Sequence, residues 1–292
     1  MINYSIRSTA HFMGYPNPQW AQAKAVLLPI PYDGTTSYQS GTRFGPEAML
    51  AASTQLELYD EEFGFETISR LPVYTLDPME PHLNHPGDMI AAVRQATAQI
   101  YRAKKFPLLF GGEHSLTFGA VQAAYQYHKK FSVLHLDAHA DFRNEYEHTR
   151  FNHACVMRRS IEVAQAVTSV GLRSIGRADM IEHKKYKKRH HWFLAPAVPL
   201  EQIIATLGSK VYITVDIDVL DASIMPATGT PLPGGLGWYD VLAVIKAVGQ
   251  QRQVIGADIM EFMPIGGLRA PDILAAKLLY KMLGYCLKPQ AK

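Results

Sequence analysis

Cysteine is scarce in this chain of 292 residues. It has Cys155 and Cys286 and no others, which excludes a disulfide framework and a cysteine-rich structural zinc site. Neither sign of charge dominates: 29 Lys and Arg against 26 Asp and Glu leave a formal +3, too balanced to point to a nucleic-acid or membrane partner. Nowhere do about 18 apolar residues run uninterrupted, as a membrane-spanning helix requires. The opening residues, Met1-Ile2-Asn3-Tyr4-Ser5-Ile6-Arg7, lack the basic and continuously apolar segments of a secretion signal, so a cytoplasmic protein is expected. Internal repeats and Ser/Gly linker tracts are also wanting. With 48% hydrophobic and 19% charged residues, the composition is instead that of a globular protein.

Apolar runs rich in Val, Ile and Leu recur at Ala25 to Ile30, Leu71 to Leu76, Pro107 to Phe110, Phe131 to Leu136, Val211 to Val215 and Val254 to Ile259, and predict buried strands. Helical spacing occupies Pro46 to Tyr59, Pro86 to Lys104, Ser115 to Lys130, Pro199 to Leu207, Trp238 to Gly249 and Pro271 to Leu287. Strands apolar throughout, alternating with helices, predict an α/β fold of three layers with a mostly parallel sheet. Without a linker, one domain over residues 1–292 is expected. The Pro- and Gly-dense segment Asp221 to Gly237 reads as a structured loop. The basic stretch Lys184-Lys185-Tyr186-Lys187-Lys188-Arg189-His190-His191 reads as a solvated helix end and receives no role.

Ligands of parallel sheets bind beyond the carboxyl ends of the strands, which singles out polar clusters just after apolar runs. Three are present: Gly111-Gly112-Glu113-His114-Ser115, Asp137-Ala138-His139-Ala140-Asp141 and Asp216-Ile217-Asp218. In extended backbone, alternate side chains share one side. A single Asp or His in such a place often does no more than cap a helix or fill a turn. Four carboxylates and two imidazoles converging at one sheet edge repel one another unless a cation joins them. Oxygen and imidazole donors without thiolate suit a hard-to-borderline divalent ion such as manganese. Four carboxylates would neutralise two such ions, which could share a bridging water and lower its pKa.

These clusters closely resemble the metal motifs of the ureohydrolase family, that of the arginases and agmatinases. The resemblance extends over nearly the whole chain in order, through Pro31-Tyr32-Asp33-Gly34-Thr35-Thr36-Ser37, Gly41-Thr42-Arg43-Phe44-Gly45-Pro46 and Pro226-Ala227-Thr228-Gly229-Thr230-Pro231. It implies an arginase-like αβα sandwich around an eight-stranded sheet, in a homotrimer or homohexamer. It also implies two Mn2+ ions, one held by His114, Asp137, Asp141 and Asp216, the other by Asp137, His139, Asp216 and Asp218. Two further positions match: Glu261, whose oxygens suit the donor fork of a guanidinium, and His153, implied as the proton shuttle. Asp141 is implied as the proton donor to the leaving amine. The implied reaction is hydrolysis of a guanidino group to urea and an amine.

The loop Phe142-Arg143-Asn144-Glu145-Tyr146-Glu147-His148-Thr149-Arg150-Phe151 resembles that of agmatinases more than the Asn-rich and Ser/Thr-rich loop of arginases. Agmatine is therefore expected first, giving putrescine and urea in polyamine biosynthesis. Loop charge leaves the choice open: Glu145 and Glu147 suit a cationic tail such as that of aminopropyl-agmatine, Arg143 and Arg150 a carboxylate such as that of guanidinobutyrate, and arginine is a further alternative. Three residues depart from the family pattern: Glu113 where Asp is commoner, Ala154 where Gly is usual and Ala222 where Pro is usual. Two rival readings stand beside this one. Cys155 could attack the guanidinium carbon with His153 as base, or the chain could be a non-enzymatic, metal-dependent binding protein on the same scaffold.

Overall fold

Runs that are apolar at every position become strands buried on both faces. In the structure, a computed structural model that describes residues 9–288, these and other segments form β1 (Ala25–Ile30), β2 (Tyr59–Asp60), β3 (Phe65–Glu66), β4 (Val73–Thr75), β5 (Phe106–Gly111), β6 (Ser132–Leu136), β7 (Ala166–Leu172), β8 (His190–Leu194), β9 (Lys210–Asp216) and β10 (Gln253–Met260). The reading of Met1 to Arg7 lies outside the described residues. Helices are α1 (Gly45–Ser53), α2 (Thr67–Arg70), α3 (Pro86–Arg102), α4 (Thr117–His128), α5 (Val156–Ser160), α6 (Arg177–Tyr186), α7 (Leu200–Ala205), α8 (Trp238–Gln251) and α9 (Ala270–Leu287). Among the described residues no helix is long and apolar enough to cross a membrane.

Alternate residues of each central strand serve opposite cores. Leu27, Leu108, Leu134 and Ile213 pack with residues of α1, α7, α8 and α9, whereas Val26, Leu109, Val133 and Tyr212 pack with residues of α3, α4 and α5. That is the three-layer arrangement expected from continuous apolar strands. Eight strands form one sheet in the order β4-β1-β5-β10-β9-β6-β7-β8, and all of their pairings are parallel.

The periodicity misses β7, β8 and the small β2–β3 hairpin. Thr168, Ser169 and Gly171 break the apolar run of β7, although that strand is buried from Val167 onward. The basic stretch is only in part a helix end: α6 stops at Tyr186, and His190 and His191 open β8, with His190 buried. The helix expected to reach Tyr59 ends at Ser53, and Tyr59 begins β2.

Register sets the site. Met260 of β10 pairs with Asp216 of β9, and Leu136 of β6 with Val215, so four adjacent strands, β5, β10, β9 and β6, end at one level. Beyond β5 the chain turns at Gly112, whose backbone passes so near Tyr32 that a Cβ there would lie 1.6 Å from the Tyr32 carbonyl oxygen. Gly112→Ala is expected to lower stability by about 2 kcal/mol or more, measured by urea denaturation. An unchanged midpoint would contradict this close approach.

Candidate metal centre

Every cluster singled out by the sequence sits at that shared edge. His114 follows β5 on a short helical turn, Asp137 to Asp141 follow β6, Asp216 closes β9 with Asp218 on the next turn, and Glu261 follows β10. Backbone donors hold one oxygen of three of the carboxylates: His139 N–H donates to Asp137 Oδ1 (2.5 Å), Asp218 N–H to Asp216 Oδ1 (2.9 Å) and Ala138 N–H to Asp218 Oδ1 (3.0 Å). The second oxygen of each faces an imidazole. His114 Nδ1 lies 3.2 Å from Asp137 Oδ2, 3.3 Å from Asp216 Oδ2 and 3.4 Å from Asp141 Oδ2. His139 Nδ1 lies 2.9 Å from Asp218 Oδ2 and 3.6 Å from Asp137 Oδ1. Donors bound at about 2.1 Å to one ion stand about 3 Å apart, so both groups match the spacing of a cation's ligands.

The imidazole of His114 is prepared for that task. Thr214 Oγ1 donates to Asp258 Oδ1 (2.5 Å), and Tyr212 Oη donates to Asp258 Oδ2 (2.8 Å). The lone pairs of Thr214 Oγ1 therefore receive His114 Nε2–H across 2.8 Å. With Nε2–H directed at Thr214, Nδ1 is the position left for positive charge, a metal ion when one is bound and a proton when none is, and it is buried without a hydrogen-bond partner in this structure. A buried nitrogen facing three carboxylates is unfavourable by itself and is what a metal ligand requires.

Electrostatics agree. Burial opposes charge on His114, yet the surrounding carboxylates hold it well above its ordinary pKa. Burial likewise opposes His139, and Asp218 and Asp137 raise it to about 12. Asp137 is held well below the carboxylate range by His135, His114 and His139 despite its burial, whereas burial, Asp218 and Asp137 push Asp216 well above it. The cluster demands positive charge, and divalent cations meet that demand.

The six residues expected as ligands from sequence are thus brought together, with Asp216 beside His114 and Asp137 between the two groups. His135 joins them unexpectedly. Its Nε2 is 2.6 Å from Asp137 Oδ2 and its Nδ1 2.9 Å from Ser169 Oγ, so both nitrogens are engaged and we read it as holding Asp137 in place. Arg173 holds the segment that carries Asp218, donating to the carbonyls of Asp218 (2.6 Å), Leu232 (3.0 Å) and Leu220 (3.2 Å). Asp221 closes the loop to Gly237 by accepting from Ser223 N–H (3.0 Å) and Gly235 N–H (2.8 Å).

A cavity of about 230 Å³ opens over the cluster, lined by His139, Asp141, Asp216 and Asp218 together with Glu261 and His153. Glu261 Oε1 accepts the His114 N–H (2.7 Å), and burial together with Glu113 pushes its carboxyl well above the usual range, so its charge is best satisfied by an arriving cation. Both Glu261 (φ 64°) and Asp141 (φ 48°) adopt left-handed backbone, strain of the kind that surrounding structure imposes at functional sites. Of the four charged residues weighed in the loop after Asp141, Arg143 alone lines the cavity. Glu145 and Glu147 are exposed outside it, and Arg150 pairs with Glu162 (3.1 Å). Cys155 is buried, and burial and Asp141 push its thiol up to about 12, which removes the thiolate reading.

A model of the arginase family matches residues 23–284. The chain belongs to the arginase family. It is 40% identical over 282 residues to the N(1)-aminopropylagmatine ureohydrolase of Synechocystis sp., covering 94% of this chain and 92% of that protein. The agmatinase of Pyrococcus horikoshii is 31% identical over 97% of this chain and 99% of its own. The crystal structure of the agmatine ureohydrolase of Thermoplasma volcanium matches with a TM-score of 0.85 at 30% identity, covering 98% of this chain and 96% of that one. This arginase-family chain is accordingly a hydrolase of guanidino C–N bonds, with a site for metal ions built from His and Asp.

Sequence reading missed the residues behind the ligands. Thr214, Tyr212, Asp258 and His135 lie inside strands read as purely apolar, and Asp179, buried in the cavity wall, lies on α6, which was not foreseen. Polar residues of equal parity on adjacent runs were the available signal. Replacing Thr214 with Val keeps the shape and removes the acceptor for His114, so metal affinity is expected to fall about 10- to 100-fold. Titration of stripped protein with Mn2+ measures this, and an unchanged Kd would contradict the arrangement.

Proposed function

We propose that this arginase-family enzyme hydrolyses N(1)-aminopropylagmatine to urea and a polyamine with two Mn2+ ions, and that agmatine is its shorter second substrate. The observation that carries the reading is the wall of the cavity away from the ligands. Arg143 is the one Lys or Arg among the described lining residues, and its charge is engaged: the guanidinium lies 4.3 Å from the centre of the Tyr146 ring, and Nε is 3.7 Å from Asp179 Oδ2. The Arg143–Asp179 pair is long at 3.7 Å and no second Lys or Arg among the described residues lines the wall, so a substrate carboxylate would have to displace Asp179 from Arg143, whereas an ammonium can approach Asp179 beside it. Burial raises the Asp179 pKa, against the N–H groups of Phe142 (2.9 Å) and Gly176 (3.0 Å), so a cationic tail restores what burial removes. The 40% identical relative is named for the longer amine and the 31% identical one for agmatine, which supports placing the longer first. Oxygen and imidazole donors without thiolate support manganese.

Two such ions, when bound, lower the pKa of a water and so supply the nucleophile. The chain's own residues do the rest. Glu261 pairs with the guanidinium and holds its carbon over the ligand cluster. Asp141, on the cavity wall, takes the proton remaining on the attacking oxygen and passes it to the leaving amine, which departs poorly as an anion. His153, half-buried at the cavity surface, exchanges protons between the site and water.

The test is urea release by stripped, Mn2+-reloaded protein on N(1)-aminopropylagmatine, agmatine, arginine and guanidinobutyrate. The two cationic amines are expected to be turned over, the longer with the higher kcat/KM, and the two carboxylates only weakly. Glu261→Gln, which keeps a hydrogen-bond acceptor for the His114 N–H, is expected to reduce kcat about 10²- to 10³-fold at unchanged metal content. Preference for arginine or guanidinobutyrate would overturn the tail assignment, and metal loss in Glu261→Gln would overturn the role of Glu261.

A further inference from the structure

Thr35 lies in the loop after β1, on none of the strands that carry the ligands, and its side chain is buried between two functional elements. Its Oγ1 is 2.6 Å from Glu113 Oε1, its backbone N–H donates to Glu113 Oε2 across 2.5 Å, and Ser115 Oγ also donates to Oε1. On the other side, His153 N–H donates to Thr35 Oγ1 (3.2 Å) and His153 Nδ1 stands 3.3 Å from it. Asn152 fixes the turn that carries His153 by accepting the Ala154 N–H (3.0 Å).

A hydroxyl has one proton and two lone pairs. With its proton on Glu113, Thr35 Oγ1 can only accept from His153, once from the backbone and once from the ring. We propose that Thr35, anchored by Glu113, is a positioning residue that keeps the proton of neutral His153 on Nδ1, leaving Nε2 as the free base toward the cavity. Thr35 touches neither reacting atoms nor ligands and acts through the imidazole. The sequence marked Glu113 only as a departure from the family pattern, and in the structure its carboxylate is directed at Thr35. Glu113 Oε1 accepts from both Thr35 Oγ1 and Ser115 Oγ and its Oε2 from the Thr35 N–H, so the carboxylate is held against the Thr35 hydroxyl from three directions.

The inference rests on the reading of His153 as the proton carrier, and two readouts keep them apart. First, 15N NMR of histidine-labelled, metal-free protein, with His153→Asn used to identify the resonance, reads the tautomer whatever the activity. The Nδ1–H form is expected in the wild type and a mixture in Thr35→Val. Second, kcat of Thr35→Val is expected to fall about tenfold or more with KM within about threefold and metal content unchanged, and Thr35→Ser is expected to restore most of it. An Nε2–H tautomer in the wild type would mean that Glu113 donates to Thr35 and would overturn the proposal. So would a wild-type kcat in Thr35→Val, or a Thr35→Ser variant as slow as Thr35→Val. Wild-type kcat in His153→Asn would instead remove the proton-carrier role, and with it the kinetic consequence of Thr35, while the tautomer spectrum would still decide the structural half.

Discussion

Three carboxylate oxygens, from Asp137, Asp141 and Asp216, converge within 3.4 Å of a single buried imidazole nitrogen, and nothing in the hydrophobic core favours that arrangement. Taking such charges out of water is unfavourable unless positive charge is placed among them. Burial opposes the charge of Asp137 and Asp216 alike, and the imidazoles of His114, His135 and His139 are the nearby groups that offset it. The surrounding features are arranged so that this convergence survives folding. Parallel register brings four strand ends to one level, Gly112 lets the chain pass close to Tyr32, and Arg173 holds the segment of Asp218 through its carbonyls.

One device recurs behind the two functional imidazoles. At His114, Thr214 gives its proton to the buried Asp258 and so receives Nε2–H, which frees Nδ1 for a cation. At His153, the Thr35 hydroxyl donates a hydrogen bond to the buried Glu113 and stands 3.3 Å from Nδ1, the arrangement from which the Nδ1–H tautomer of His153 is proposed. The same three-part chain of carboxylate, hydroxyl and imidazole thus meets Nε2 of His114 and Nδ1 of His153, opposite nitrogens of the two rings. Asp137 has its own support through His135 and Ser169, and Ser169 lies 3.4 Å from His190 of the former basic stretch. Part of what the charge pattern marks as surface is therefore packing beneath the site.

The α/β class, the central strands and the convergence of the six residues proposed as ligands were legible because each rests on a local rule. Strands buried on both faces are apolar throughout, and ligands fall just past their ends. What escaped was set by tertiary context. Thr168 and Ser169 disguise β7, since in a parallel sheet a buried hydroxyl is satisfied by a neighbour that the sequence does not reveal. His135 and Thr214 were absorbed into apolar runs for the same reason. Glu145 and Glu147 look like a tail-binding pair in one dimension, but the turn at Glu147 and His148 (φ 47° and 62°) points that loop away and leaves Arg143 and Tyr146 at the cavity. Asp179, a buried carboxylate of the cavity wall, sits on a helix 37 positions beyond Phe142, and only the fold brings the two together.

The claim on which the account stands is that the strand-end cluster is a site for two cations. Its most direct test is the metal content of protein loaded with Mn2+ and freed of excess, read by elemental analysis beside the Asp137→Asn variant. The account predicts two ions per chain in the wild type and, because Asp137 faces both His114 and His139, loss from both positions in the variant. One ion or none in the wild type, or a variant that retains two, would contradict it.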